Sequence, residues 1–302
     1  MKPRPFDYVR PDTVEEALDV LAEHGEDARI LAGGQTLMAM LNLRVVDAAV
    51  LVDITRVPEL DCIRELEGSI EVGAAVTQNA LLAWPPLAHK LPLLSAVLPF
   101  VGHFQTRNRG TVCGSIAHAD PASEIPLALA VLAGEVVLRS RRGTRVVAAN
   151  EFQKGMLMTA REGDELITAV RFPVRAVAAA FREVSRRHGD FAIIAVAAIA
   201  EDTDHVRIGV GGAADRPAVR RIRASDASAV RDAIERLAWE LRGHDDIHAT
   251  AHMRRDLLRR IGRWSFGRLC NAPREPERAR AREPHAQWAQ ARGRGGAPHA
   301  AF

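Results

Sequence analysis

The stretch GTVCGSIAHADPASE, residues 110–124, decides how the rest of the chain is understood. It crowds Gly110 and Gly114, the hydroxyls of Thr111, Ser115 and Ser123, Cys113, and the titratable His118, Asp120 and Glu124 into one short segment. A nucleophile with its base, a metal site and a backbone cradle for phosphate all use such residues. A hydrolytic triad draws its members from separate elements, with the base between nucleophile and orienter. Ser115, His118 and Asp120 are too close in sequence for that, and Ser115 lacks the G-x-S-x-G elbow. His118, Asp120 and Glu124 are spaced H-x-D-x-x-x-E, which is not a recurrent set of metal ligands. Asp120-Pro121 predicts instead a turn into a helix over 123–132, capped by Ser123 or Asp120.

A cradle remains. Phosphate binds where backbone N–H groups are free, at helix N-termini and in glycine-rich turns that let the chain come close. Two segments qualify: Ala32-Gly33-Gly34-Gln35-Thr36 and Gly110-Thr111-Val112-Cys113-Gly114-Ser115, each read as a loop ahead of a helix. Either alone also reads as an ordinary tight turn. Together they predict a phosphate-containing cofactor. A third glycine cluster, GVGGAA (209–214), fits G-x-G-x-x-A spacing, but Asp215-Arg216-Pro217 interrupts it where a dinucleotide site must open a helix. It reads as a glycine-rich strand end.

The length of 302 residues suits about two domains, and 47% hydrophobic with 26% charged residues is ordinary for a globular protein. The net charge of +3 is matched by six Arg against three Glu in residues 272–302, so the body is neutral. That, and aromatics at only 5%, argue against nucleic-acid binding. Cys62, Cys113 and Cys270 stand far apart and build no disulfide framework or cluster ligand set. With no apolar leader and the longest apolar run, FAIIAVAAIA (191–200), too short for a bilayer, the expected location is the cytoplasm.

Thr13-Val14-Glu15-Glu16 is a capping box ahead of a helix that Gly25 stops. Residues 29–31, 50–54, 69–76, 135–140, 144–150 and 164–174 read as strands, with Arg142-Gly143 as a hairpin turn. Helices are expected at 37–43, 79–83 and 93–101. AAAFREVSRR, FAIIAVAAIA and HVRIGVGG then read as a three-stranded antiparallel meander, followed by helices over 225–241 and 248–269. The proline-rich, aperiodic 272–302 is expected to be a disordered tail.

AGGQTLMAMLNLR (32–44) and RNRGTVCGSIAHADPASEIP (107–126), in that order, closely resemble the paired FAD-binding signatures of the flavoprotein (medium) subunit of molybdenum hydroxylases, the aerobic carbon monoxide dehydrogenase and xanthine dehydrogenase type. The likeness runs from FDYVRPDTVEEALDVL to RRDLLRRIGRW and covers nearly all but the tail. The resemblance implies an α+β fold of the vanillyl-alcohol-oxidase type. An FAD module over 1–174, with subdomains of about 1–56 and 57–174, is followed by a small α+β domain over 175–271. It implies that Ala32, Gly33, Gly34, Gln35, Thr36 and Leu37 wrap the pyrophosphate with Thr111, Cys113, Gly114 and Ser115. His118 and Asp120 would lie beside the flavin or its ribityl chain, and Glu124 by the ribityl or adenosine part. Thr168 would meet the adenine and Arg182 the isoalloxazine.

This chain departs from the family where Cys113 stands for a usual glycine, which predicts altered FAD contact, and where Ala39 stands for a common proline. The resemblance further implies an oxidoreductase subunit with non-covalent FAD and no catalytic or metal residue of its own. Its partners would be a molybdenum-cofactor large subunit and a [2Fe–2S] small subunit, in a dimer of heterotrimers, with electrons passing to an external acceptor. The alternatives are a self-contained FAD oxidase and a degenerate, non-catalytic paralogue.

Overall fold

The computed structural model describes residues 2–175, 177–223 and 227–270. The tail expected at 272–302 lies outside them, as do Ser225 and Asp226 of one predicted helix.

The chain begins with β1 (Asp7–Val9), α1 (Val14–His24), β2 (Ala28–Leu31), α2 (Leu37–Asn42) and β3 (Val50–Asp53). The strands form a parallel sheet in the order β1-β3-β2. Helix α1 starts as the capping box predicts: Thr13 Oγ1 accepts from Glu16 N at 3.2 Å. Its reciprocal bond is displaced by one residue, because Glu16 Oε2 accepts from Asp12 N at 2.8 Å. Val14, Ala17, Leu18 and Leu21 form the buried stripe.

Next come β4 (Ile63–Leu66), β5 (Ser69–Gly73), α3 (Gln78–Leu82), α4 (Leu87–Lys90), α5 (Pro92–Val97), α6 (Phe104–Arg109), α7 (Val112–His118) and α8 (Glu124–Leu132). They lead to β6 (Glu135–Ser140), β7 (Gly143–Ala148), α9 (Ala149–Phe152), β8 (Gln153–Gly155), β9 (Met158–Thr159) and β10 (Leu166–Pro173). Five of these strands make an antiparallel sheet in the order β4-β5-β10-β6-β7. Helix α7 differs from the loop expected over 110–115. Thr111 is an N-cap, its Oγ1 accepting from Gly114 N at 2.9 Å, so Cys113, Gly114 and Ser115 are the first turn of a helix. The predicted cap of α8 also differs. Ser123 occupies the cap position with no side-chain bond, while Asp120 Oδ1 accepts from Ala122 N at 2.8 Å and closes the turn before it.

The last section is a meander of β11 (Ala179–Val184), β12 (Ile194–Ala200), β13 (His205–Gly211) and β14 (Ala218–Arg223), then α10 (Ala227–Leu241) and α11 (Ala251–Cys270). Strand β14 was not expected, since its sequence, AVRRIR, shows little alternation. Its arginines suit an edge strand, which must discourage pairing with another chain. Arg254 of α11 is buried, donates to the carbonyls of Ile193 and Gly212, and pairs with Asp246 at 2.5 Å.

Helix α8 is apolar on every side and buried almost throughout, as befits a helix with protein all round it. It packs on β10 of the five-stranded sheet and on β12 and β13 of the meander. That position explains GVGGAA. A Cβ at Gly209 would lie 2.3 Å from Val131 Cγ2 and 2.9 Å from Leu127 Cδ1, so this glycine admits α8 to the sheet. No helix opens there, and the motif is the strand end it was expected to be.

Candidate functional site

Two glycine segments touch beneath one cavity. The first, residues 32–36, leaves β2 and opens α2; the second, residues 110–115, leaves α6 and opens α7. A Cβ at Gly33 would lie 2.2 Å from the carbonyl oxygen of Arg109 and 2.7 Å from Gly110 Cα, so only glycine lets these backbones meet. Among the described residues, the N–H groups of Gly33, Gly34, Gln35 and Thr36 have no hydrogen-bond partner, while Gln35 Nε2 donates to Gly33 O at 3.3 Å. Free N–H groups in a glycine turn are donors for an anion.

The second segment is anchored from α3. Gln78 N donates to Gly110 O at 2.8 Å and Val112 N to Val76 O at 3.1 Å, flanking a bridge between Thr77 and Thr111. Gln78 is only 5% exposed, and its Nε2 donates to Thr111 O at 3.3 Å. With its Nε2 committed to that carbonyl, Gln78 Oε1 is left buried with no partner. A buried acceptor without a donor is costly, and Gln78 is a lining residue of the cavity.

The cavity is about 660 Å³ and is lined by both glycine segments, by His118 and Glu124, and by Arg29 and Arg161. Burial lowers the His118 pKa against the opposing pull of Asp120, favouring the neutral imidazole. Burial likewise lowers that of Arg161, and the Arg29 charge adds to the effect. The Arg161 guanidinium is fixed by the carbonyls of Glu162, Gly163 and Glu165, at 2.8, 3.2 and 2.8 Å. Glu124 opens α8 at 4% exposure and lines the cavity. Burial raises its carboxyl, and that of Glu183 on β11, above the usual carboxylate range, with Asp120 adding to Glu124 and the Glu124 charge to Glu183. A roomy cleft with free N–H donors, two guanidiniums and an unpartnered amide oxygen suits a large, phosphate-bearing ligand.

Comparison with known proteins carries this further. Residues 4–175 match the family model for the FAD-binding domain in molybdopterin dehydrogenase. The chain belongs to that family. It is 40% identical over 224 residues to the caffeine dehydrogenase subunit beta of Pseudomonas sp. (strain CBB1), covering 72% of this chain and 76% of that one. Among solved structures it is similar to quinoline 2-oxidoreductase from Pseudomonas putida 86, with TM-score 0.84, 34% identity and coverage of 89% and 98% of the two chains. It is also similar to the reconstituted CO dehydrogenase from Oligotropha carboxidovorans, with TM-score 0.85, 30% identity and coverage of 89% and 99%. The chain is thus an FAD-binding oxidoreductase subunit of the molybdenum hydroxylase class, with the mixed α+β fold expected.

The wall of the FAD subunit's cavity contains Ala32, Gly33, Gly34, Gln35, Thr36, Leu37, Thr111, Cys113, Gly114, Ser115, His118 and Glu124. Three other residues expected at the cofactor are not part of that wall. Asp120 is spent on the turn to Ala122. Thr168 sits beside the lining residue Ile167, and its hydroxyl donates to Val137 O at 3.4 Å. Arg182 is exposed and stacks over Trp264, 4.8 Å from the ring centroid. Side chains alternate across a strand, so Glu183, its neighbour, turns to the opposite face, with Oε2 buried. Gln78, Arg161 and Glu183 were not foreseen. The alternation of Phe181 (buried), Arg182 (exposed) and Glu183 (partly buried) is the signal that marks Glu183 as facing inward. Nothing local marks Gln78, whose partner is 33 residues away.

The Cys113 thiol belongs to the hydrophobic core and donates to Val72 O at 3.5 Å. Burial pushes its pKa far above the usual thiol range, which leaves it inert. Among the described residues no group of His, Cys, Asp and Glu is placed to hold a metal ion, and no helix is long and apolar enough to cross a membrane.

Proposed function

We propose that this chain holds FAD non-covalently between its two glycine segments and relays electrons from the [2Fe–2S] clusters of a small partner subunit to an external acceptor. Substrate oxidation would occur at the molybdenum cofactor of a large partner subunit, in a cytoplasmic complex built as a dimer of heterotrimers. The observation that carries the reading is the contact of Gly33 with Arg109 and Gly110, under a cavity that Gln78 lines and beside which N–H groups stand free. Names of relatives point the same way, since they are subunits or medium chains of dehydrogenases and hydroxylases.

In this reading residues 1–174 are the FAD module, with subdomains of about 1–56 and 57–174, and 175–271 are the smaller domain. When bound, the flavin supplies the redox chemistry. The chain's own residues bind and orient it. The N–H groups of Gly33 to Thr36 take the pyrophosphate, as charge-assisted bonds that need no metal, with α7 opening beside them. Gln78 Oε1 accepts a proton-bearing group of the cofactor, and the neutral His118 presents one ring nitrogen as acceptor. Asp120, Thr168 and Arg182 stand outside the cavity wall, each engaged with a neighbour: Ala122 N, Val137 O and the Trp264 ring.

Titration of the purified chain with FAD, followed by absorbance, tests the reading. Stoichiometric uptake, released on denaturation, is the expected result. A chain that takes up no flavin alone or with co-expressed partner subunits would instead be a degenerate paralogue. One that oxidises an alcohol unaided would be a self-contained oxidase.

A further inference from the structure

Helix α7 ends on a residue whose backbone does not suit its side chain. Ala119 has φ 54° and ψ 36°, the left-handed region that glycine adopts freely and alanine only under strain. Glycine is the usual residue at such a helix end. The conformation turns the chain from α7 into Asp120 and Pro121 and on to α8. It also sets the direction of His118, the last residue of α7, which lines the cofactor cavity.

A second alanine in the same conformation is supported differently. Ala133 closes α8 at φ 55°, and the helix itself holds it: Ala133 N donates to Ala130 O at 3.1 Å and Gly134 N to Leu129 O at 2.9 Å. Among the described residues Ala119 N makes no such bond. Ala119 is held by its carbonyl instead, and both donors come from the β8–β9 hairpin. Gln153 Nε2 donates to Ala119 O at 2.7 Å and Leu157 N at 3.1 Å. Ala119 is fully buried and Gln153 is 6% exposed, so water is a poor substitute for the amide. Leu157 gives only its backbone, from a hairpin whose Met156, Leu157 and Met158 are exposed. Among the described residues, Gln153 is the one side chain bonded to Ala119 O.

We propose that Gln153 is a positioning residue of the cofactor cavity: its amide captures Ala119 O, holds that residue in the left-handed conformation, and so keeps His118 at the cavity wall. The inference rests on the FAD reading above. Gln153 does not line that cavity, and it acts on the cofactor only through Ala119. Without the amide, the carbonyl keeps Leu157 N alone, and relaxing Ala119 to negative φ becomes the lower-energy state. That change re-aims both neighbours, His118 on one side and Asp120 on the other. Glycine at 119 needs no such support, because left-handed backbone carries no steric cost for it. Positions 153 and 119 are therefore coupled, and the coupling is what separates positioning from packing.

The experiment is FAD titration of the full chain, followed by absorbance and by the visible circular dichroism of the bound flavin, in the wild type, Gln153→Met, Ala119→Gly and the double variant. Methionine keeps the length of the side chain and cannot donate. Gln153→Met is expected to weaken FAD binding about five- to tenfold, as the loss of one buried hydrogen bond implies, and to change the flavin dichroism. Ala119→Gly alone should bind FAD as the wild type does. Added to Gln153→Met, it should restore the wild-type dichroism and bring affinity back to within about twofold. A role confined to stability would lower the unfolding midpoint of Gln153→Met and leave affinity and dichroism of the folded chain unchanged. That result overturns the proposal, as does a loss of affinity that Ala119→Gly does not restore, and either leaves the FAD reading standing. Gln153→Asn, one methylene too short to reach Ala119 O, is the second variant, with the same expectations, should Gln153→Met fail to fold. A wild-type chain that takes up no FAD, alone or with co-expressed partner subunits, overturns the FAD reading and the proposal with it.

Discussion

Gly33 just after β2 and Gly209 near the end of β13 both sit in glycine-rich segments, and both have a neighbour closer than any Cβ allows. What presses on them differs. At Gly33 it is backbone, the carbonyl of Arg109 and Gly110 Cα, and the chain around it keeps unpaired N–H groups beside a cavity. At Gly209 it is the side chains of Val131 and Leu127, and no space is left. One glycine brings two backbones together to make a site; the other lets a helix close on a sheet. Spacing in sequence does not separate the two roles, whereas the identity of the neighbour does.

The sharpest way to break the comparison is Gly33→Ala. The added carbon would meet backbone that no rotamer change can move. The two segments must part, and FAD affinity is expected to fall about 100-fold or more, as lost charge-assisted bonds of about 1.5–3 kcal/mol each imply. Equilibrium titration with FAD checks it, and near-wild-type affinity would mean the contact is dispensable. Gly209→Ala should do the opposite. Val131 and Leu127 must repack, costing about 1–3 kcal/mol of stability, while the folded fraction still binds FAD stoichiometrically. Urea unfolding combined with flavin content separates the two effects.

Much of this contrast was legible in the sequence, for identifiable reasons. The strands at 28–31, 50–53, 135–140 and 166–173 and the capping box at Thr13 rest on local patterning, and they stand where that patterning puts them. The glycine segments were legible as a pair, and Asp215-Arg216-Pro217 was enough to set GVGGAA aside. What escaped depends on distant partners. Thr111 was read as part of a loop because the glycines around it hide a helix start, and the cap is visible only once Gly114 N is seen to reach its hydroxyl. Arg182 was expected at the isoalloxazine from the resemblance alone, but the twofold period of β11 sends it outward and Glu183 inward. Gln78 gains its place from a bridge between Thr77 and Thr111 that no window around either residue contains.

Gln78 offers a finer test of the cradle half of the comparison. Its amide joins the two roles that Gly33 and Gly209 divide: Nε2 ties down Thr111, and Oε1 waits for a donor. Gln78→Leu removes both, and leaves Thr111 O without that bond. FAD affinity is expected to fall about five- to tenfold, the worth of about 1 kcal/mol or slightly more for one hydrogen bond. The apo-protein should lose less stability than an ordinary buried glutamine would, because an orphan acceptor goes with it. A loss of stability equal to the loss of binding energy would show that Oε1 has no ligand to meet.

The smallest effect should come from Cys113, although it lies within the signature itself. Its position suggests contact with the cofactor, but its sulfur packs with the core and donates to Val72 O. Cys113→Ala therefore resembles the Gly209 case rather than the Gly33 case. It should cost about 1 kcal/mol of stability, from a small buried void, and leave FAD affinity unchanged. The thiol is buried and its ionisation is opposed by desolvation, so a thiol reagent should modify Cys113 in the native chain only as fast as the protein unfolds. Rapid labelling, or FAD affinity that moves with the substitution, would place the sulfur in the cavity and make residue 113 part of the cradle after all.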